Sequence, residues 1–147
     1  MMKIAVGCDH AAVEHKNDIR DYLIENGFDV TDFGINENQT IDYPVIAKQV
    51  ALCVSSNECE LGILVCGTGI GMSLAANKVK GIRAAACSEH FSAKYTRLHN
   101  DSNILCLGAR VIGVGTAIEL VDLFVNTKFE GGRHQRRVDM ITDIENN

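Results

Sequence analysis

The chain has 147 residues, of which 46% are hydrophobic and 22% charged, and its formal net charge is -5. That length suits one domain with a substantial core, so residues 1–147 are read as a single unit. The acidic balance argues against nucleic acid or an anionic membrane surface as partner, and no apolar run approaches the roughly 18 residues of a membrane span.

The opening stretch "MMKIAVGCDH" lacks the plan of a signal peptide, which makes the cytoplasm the expected location. The six cysteines (Cys8, Cys53, Cys59, Cys66, Cys87, Cys106) are then expected as reduced thiols, most of them small buried hydrophobes. None forms a C-x-x-C pair, so structural zinc is not expected.

In chain order, a β-rich run at Lys3–Cys8 precedes "HKNDIRDYLIEN", where Ile19, Tyr22 and Leu23 fall at i, i+3, i+4 and Gly27 stops the helix. A second strand is expected at Asp29–Phe33, followed by an irregular stretch from about Gly34 to Thr40. "YPVIAKQVALCV" repeats the helical spacing through Val45, Ile46, Val50 and Val54, with Pro44 near its start. A strand at Leu61–Val65 leads into "GMSLAANKV", one at Arg83–Cys87 into "HFSAKYTRLH", and one at Asn103–Leu107 into the strongly amphipathic "GTAIELVDLFVN". "EGGRHQRRVDMITDIE" reads as a glycine hinge and a C-terminal helix.

Strands alternating with helices imply βαβ units and a parallel sheet, and the near-continuous apolar runs ILVC and ILCL suit strands covered on both faces. The expected fold class is α/β: a single doubly wound domain whose five-stranded parallel sheet, in flavodoxin-like order 2-1-3-4-5, is flanked by helices. In such sheets ligands bind beyond the carboxyl ends of the strands, where the strand order reverses, here between strands 1 and 3. The segments "GCDH" (residues 7–10) and "CGTG" (residues 66–69) therefore face one another across the expected crevice.

The glycine-rich segment is neither a dinucleotide fingerprint, since Met72 stands where the third glycine belongs, nor a phosphate loop, since no Gly-Lys-Ser/Thr follows. What remains is a tight strand-to-helix turn with exposed N–H groups, suited to a phosphate or an oxyanion or serving only as a turn. Cys66 stands at its hinge, where a helix N-terminus favours the thiolate; the other five thiols read as packing. "RLHNDSN" places His99, Asn100 and Asp101 at a helix end, where a histidine can also simply cap the helix. Arg133 and Arg137 lie four apart beside a diglycine and can clamp a dianion, whereas Arg136 points elsewhere; a solvated basic face is the plainer alternative.

Taken together, "CDH", "DYP" at 42–44, "CGTGIGMSLAANK", "GIRAA", "HNDSN" and "EGGRHQRRV" resemble the type B ribose-5-phosphate isomerases, a group that includes the allose- and galactose-6-phosphate isomerases. The resemblance runs from Lys3 to Glu145. It implies a homodimer, or two dimers paired into a tetramer, with active sites between subunits, a sugar phosphate as substrate, and no cofactor or metal. It implies Cys66 as the base that moves a proton between C2 and C1, with His99 opening the furanose ring. The segment Gly67, Thr68, Gly69, Ile70 and Gly71 would hold the enediolate oxygens, with Thr68 assisting catalysis. Asp9, Tyr43 and Asn100 match sugar-binding positions, and His10, Arg110, Arg133 and Arg137 match the phosphate pocket. The expected reaction is ribose 5-phosphate to ribulose 5-phosphate, in the non-oxidative branch of the pentose phosphate pathway. A 6-phosphohexose isomerase is the alternative within the family, and a non-catalytic sugar-phosphate-binding module is the alternative of another class.

Overall fold

The computed structural model describes residues 1–147 throughout. Its elements are β1 (Lys3–Cys8), α1 (Val13–Glu25), β2 (Asp29–Asp32), α2 (Tyr43–Ser55), β3 (Leu61–Cys66), α3 (Ile70–Ala76), β4 (Ala84–Ala86), α4 (His90–Asn100), β5 (Ile104–Gly108), α5 (Val114–Asn126) and α6 (Arg133–Glu145). All five strands are parallel. The doubly wound α/β class and the C-terminal helix are as the sequence implies.

The sheet order is β2-β1-β3-β5-β4, which corrects the expected 2-1-3-4-5 at one edge. The chain crosses from β3 to the far edge and returns to insert β5 next to β3. Composition explains the exchange. All five residues of β5 (ILCLG) are buried, whereas β4 is three alanines, half-buried or exposed. A long apolar strand gains most from cover on both faces, and a short strand of small side chains loses least at an edge. The reversal between β1 and β3 is unaffected.

β1 and β3 run in register from Ile4 opposite Leu61 to Cys8 opposite Val65, so both end at the same rim. Right-handed crossovers put α2 and α3 on one face of the sheet and α1, α4 and α5 on the other, with α6 packed on α4. The core between these layers is led by Ile4, Ile63, Leu64, Leu105, Leu107, Leu120 and Phe124, all fully buried. Each such side chain contributes about 1.5–3 kcal/mol of transfer free energy.

Local chemistry sets the helix ends. Pro44 occupies the first turn of α2, where its missing N–H costs nothing. Glu89 caps α4 by accepting a 2.9 Å hydrogen bond from the Ser92 N–H. Gly27, at φ +87°, takes the left-handed conformation just beyond α1. One tie between elements has no sequence signature: Lys16 on α1 is wholly buried, and its Nζ donates a 2.8 Å bond to Asp32 Oδ2 at the end of β2.

Candidate active site

Beyond the carboxyl ends of β1 and β3 lies a cavity of about 430 Å³ lined by Asp9, Tyr43, Cys66, Gly67, Thr68, Ile70, Gly71 and Leu74. The parallel ladder brings its two sides together: the Asp9 N–H donates to the Val65 carbonyl at 3.3 Å, directly beneath Cys66. Asp9 is buried, and its Oδ1 accepts from the Ala11 N–H at 3.0 Å, which fixes the carboxylate at the cavity wall.

The turn after β3 is built around the thiol. Cys66 is buried, and its Sγ accepts a hydrogen bond from the Gly69 N–H at 3.1 Å. The Thr68 hydroxyl oxygen accepts from the Ile70 N–H at 3.2 Å. The N–H groups of Gly67, Thr68 and Gly71 have no acceptor in the chain, leaving three backbone donors at the cavity. Two glycines are required by geometry. Gly69 sits at φ +81°, and a side chain there would also meet the Leu107 backbone at 3.0 Å. At Gly71 a Cβ would lie 2.7 Å from the Tyr43 ring, so this residue makes room for the tyrosine that lids one side of the cavity.

Of the remaining site residues that the resemblance implies, His10 is exposed immediately after Asp9. Arg110 donates its backbone N–H to the Gly67 carbonyl at 3.0 Å and lays its side chain within 4 Å of the Gly67 Cβ direction. The other four fall elsewhere. His99 and Asn100 are the last residues of α4, a helix that starts at the carboxyl rim and runs back to the opposite rim. The Asn103 carbonyl, three residues on, accepts from Gly62 at the start of β3. Eleven helical residues at 1.5 Å each put His99 roughly 15 Å down the sheet from the level of Cys66.

This second cluster is ordered in its own right. The His99 and His134 rings stack with centroids 4.0 Å apart and planes 10° apart, and Tyr95 meets His99 edge-on at 4.9 Å. His99 Nε2 lies 3.7 Å from Glu130 Oε2. His134 is buried and its Nε2 has no partner; burial first, then His99, Arg133 and Arg137, hold its pKa below the usual imidazole value. On α6, His134 and Val138 face inward, Arg133 and Arg137 flank them in the open, and Arg136 points to the far side. His99, Glu130 and His134 offer ligand atoms within 4.8 Å of one another. Nearly parallel rings, however, aim their in-plane lone pairs side by side and not at one point, and two guanidiniums stand nearby, so the set suits a cation poorly.

Sequence reasoning missed Leu74, which lines the cavity, and Gly108, where a Cβ would strike the Thr68 backbone at 2.7 Å. The spacing of Ile70 and Leu74 on α3 could have flagged the first. Gly108 had no local signal, because its constraint is a neighbour 40 residues earlier in the chain.

The ribose/galactose isomerase family model matches residues 4–141. The chain is 50% identical to ribose-5-phosphate isomerase B of Escherichia coli, covering 99% of this chain and 97% of that one. It is 42% identical to a D-erythrulose-4-phosphate isomerase of Pectobacterium atrosepticum, with coverage of 96% and 93%. Its fold superposes on the ribose-5-phosphate isomerase B structure of Clostridium thermocellum with a TM-score of 0.96 and 48% identity, over 99% of this chain and 98% of the other. No helix is long and apolar enough to cross a membrane. The chain is an isomerase and belongs to the ribose/galactose isomerase family.

Proposed function

We propose that this isomerase interconverts ribose 5-phosphate and ribulose 5-phosphate, at sites each completed by a second copy of the chain. One observation carries the reading: a buried thiol, three unpaired backbone N–H donors and a fixed carboxylate share one cavity, while His99, Arg133 and Arg137 lie at the opposite rim. A phosphorylated aldose needs both sets. Two copies related by a two-fold axis supply them, because the carboxyl rim of each then meets the amino rim of the other, twice over.

Exposed apolar surface beside both half-sites supports the pairing. Leu74 is 62% exposed at the cavity, and Ile144 on α6 is 76% exposed beside the exposed Ile141 and Ala84 and Ala85 of β4. Such apolar surface is usually covered by a partner.

The mechanism follows from the chemistry of the groups. His99 of the neighbouring copy donates to the ring oxygen and takes the anomeric hydroxyl proton, opening the furanose. In the open chain the aldehyde acidifies the C2 proton. Cys66 Sγ, whose negative charge the Gly69 N–H can hold, removes that proton and returns it to C1, while the O2 hydroxyl proton passes to O1, so that C2 becomes the ketone and C1 the hydroxymethyl group. Between the two transfers the enediolate oxygens rest on the Gly67, Thr68 and Gly71 N–H groups, donors already in place and needing no reorganisation. Asp9, Tyr43 and Asn100 hold the sugar hydroxyls. His10 and Arg110, with Arg133 and Arg137 of the neighbouring copy, hold the phosphate, whose charge suits paired guanidiniums.

The reading is tested by a panel of four-, five- and six-carbon aldose phosphates assayed for ketose formation. The largest kcat/KM is expected for ribose 5-phosphate. Cys66→Ala should lower kcat by about 10²-fold or more with KM nearly unchanged, the pattern of a lost base. Near-normal turnover in Cys66→Ala would refute the thiol's role; a six-carbon substrate preferred over ribose 5-phosphate would refute the substrate.

A further inference from the structure

Two cysteines outside the candidate active site are in contact. Cys53 lies in the last turn of α2 and Cys59 in the turn before β3, and their Sγ atoms are 3.0 Å apart, with the Cys53 S–H donating to Cys59. Both are free thiols, 7% and 2% exposed. The Cys59 N–H also donates to the Cys53 carbonyl at 3.1 Å. That hydrogen bond sets the two Cα atoms roughly 5–6 Å apart, inside the range a disulfide spans. No other pair shares a sulfur–sulfur hydrogen bond: Cys8 donates to the Ile35 carbonyl and Cys66 accepts from Gly69, while Cys87 and Cys106 are linked only through the backbone, the Cys87 N–H donating to the Cys106 carbonyl at 3.1 Å.

From this geometry we propose that Cys53 and Cys59 form an oxidative modification site, closing to an intrachain disulfide when a peroxide reaches them. The atoms balance as two thiols and one hydrogen peroxide giving one disulfide and two waters. Cys59 Sγ, the acceptor of the pair, attacks one peroxide oxygen; the O–O bond breaks, and the leaving hydroxide takes the Cys59 proton as the first water. Cys53 Sγ then attacks the Cys59 sulfenic acid; the S–S bond forms, the S–O bond breaks, and hydroxide leaves with the Cys53 proton as the second water. The order is the one the hydrogen bond supports, since Cys53 holds its proton as the donor to Cys59, and burial first and the Cys59 contact second push the Cys53 thiol's pKa up. Access comes through the connecting turn, where Ser56, Asn57 and Glu58 are exposed.

The site is separate from the cavity. α2 starts at Tyr43 on the cavity wall, and the ten residues from there to Cys53 span roughly 15 Å toward the opposite rim. Oxidation here consumes one peroxide without touching Cys66 and ties the end of α2 to the entry of β3. Closing a loop of this size should raise Tm by about 5 °C.

The test uses the intact wild-type protein titrated with hydrogen peroxide, with the sugar phosphate present to shield Cys66. Free thiols are alkylated after unfolding, and the peptides are mapped by mass spectrometry. The expected result is one disulfide, between Cys53 and Cys59, the other four cysteines alkylated, a raised Tm, and reversal by dithiothreitol. Cys53→Ser and Cys59→Ser should each abolish both the disulfide and the Tm rise. Finding Cys53 and Cys59 still alkylated after Cys66 has been oxidised would overturn the proposal, as would a disulfide between any other pair or a lowered Tm in the cross-linked form. The mapping needs no activity measurement, so its failure would leave the isomerase reading untouched.

Discussion

Adding one methyl group at Gly71 tests how the cavity is shaped. The new Cβ in Gly71→Ala would sit 2.7 and 2.8 Å from two ring carbons of Tyr43, where about 3.5–4 Å is the comfortable separation. The ring must therefore retreat by about 1 Å. Gly71 has a negative φ in the first turn of α3, so alanine gains about 1 kcal/mol in helix propensity. Overpacking costs about 1–3 kcal/mol, and Tyr43 is partly exposed and free to swing outward, which places the cost at the low end. The two effects nearly cancel, and Gly71→Ala should fold with little change in stability. Catalysis should suffer more, because a 1 Å displacement of a positioning group is worth about 10²-fold. The assay is kcat/KM for ribose 5-phosphate alongside thermal melts, repeated in a Tyr43→Ala background. There the methyl has nothing to strike, and Gly71→Ala should be silent. A large loss of kcat/KM from Gly71→Ala in that background would refute the reasoning, since the tyrosine could not then be its route.

The phosphate clamp predicts that Arg137→Ala raises KM by about 10- to 100-fold, the loss of a charge-assisted hydrogen bond, with a smaller effect on kcat. Arg136→Ala, on the far side of α6, should be nearly silent in the same steady-state assay. Burial alone would raise the Asp32 carboxyl, but the Lys16 ammonium, the Gly34 N–H and Arg20 outweigh it and hold its pKa below the usual 3.8. A depressed carboxylate stabilises the fold above its unfolded pKa and loses that stabilisation as pH falls through the folded value. Tm should therefore be flat near neutrality and drop below about pH 4. Asp32→Asn, which strands the buried Lys16 ammonium, should cost about 3 kcal/mol by denaturant melts at pH 7 and less in acid. His99→Asn should cost about 10²-fold in kcat on ribose 5-phosphate but only about threefold on an aldotetrose 4-phosphate, whose O4 carries the phosphate and cannot close a five-membered ring. Equal losses would assign His99 another task.

What the sequence revealed and what it hid follow from how each signal is carried. Strand and helix identities are local: ILVC and ILCL announce covered strands, and Gly27 and Pro44 mark helix ends within a few residues. The cavity at the β1–β3 reversal was legible because topology alone puts Asp9 beside Cys66. The order of β4 and β5 was open to error, since both choices satisfy right-handed crossovers and only the contrast between AAA and ILCLG, weighed as edge against centre, separates them. The Lys16–Asp32 pair, the His99–His134 stack, and the fit of Gly108 against Thr68 are contacts through space between distant segments. Spacing along the chain carries no trace of them. The separation of His99 from Cys66, by contrast, is implicit in the βαβ plan, because a helix that leads into a parallel strand must end at the amino rim.

The central claim is that one copy supplies Cys66 and another supplies His99 to the same site. It is tested most directly by mixing two inactive variants, Cys66→Ala and His99→Asn, unfolding them together, and refolding them as hybrids. Random pairing makes half the dimers hybrid, and each hybrid carries one site with both lesions and one site with neither. Activity on ribose 5-phosphate should then return to about one quarter of the wild-type value. If the refolded mixture is dimeric but no more active than its parents, Cys66 and His99 belong to the same copy's site and the shared-site account is wrong.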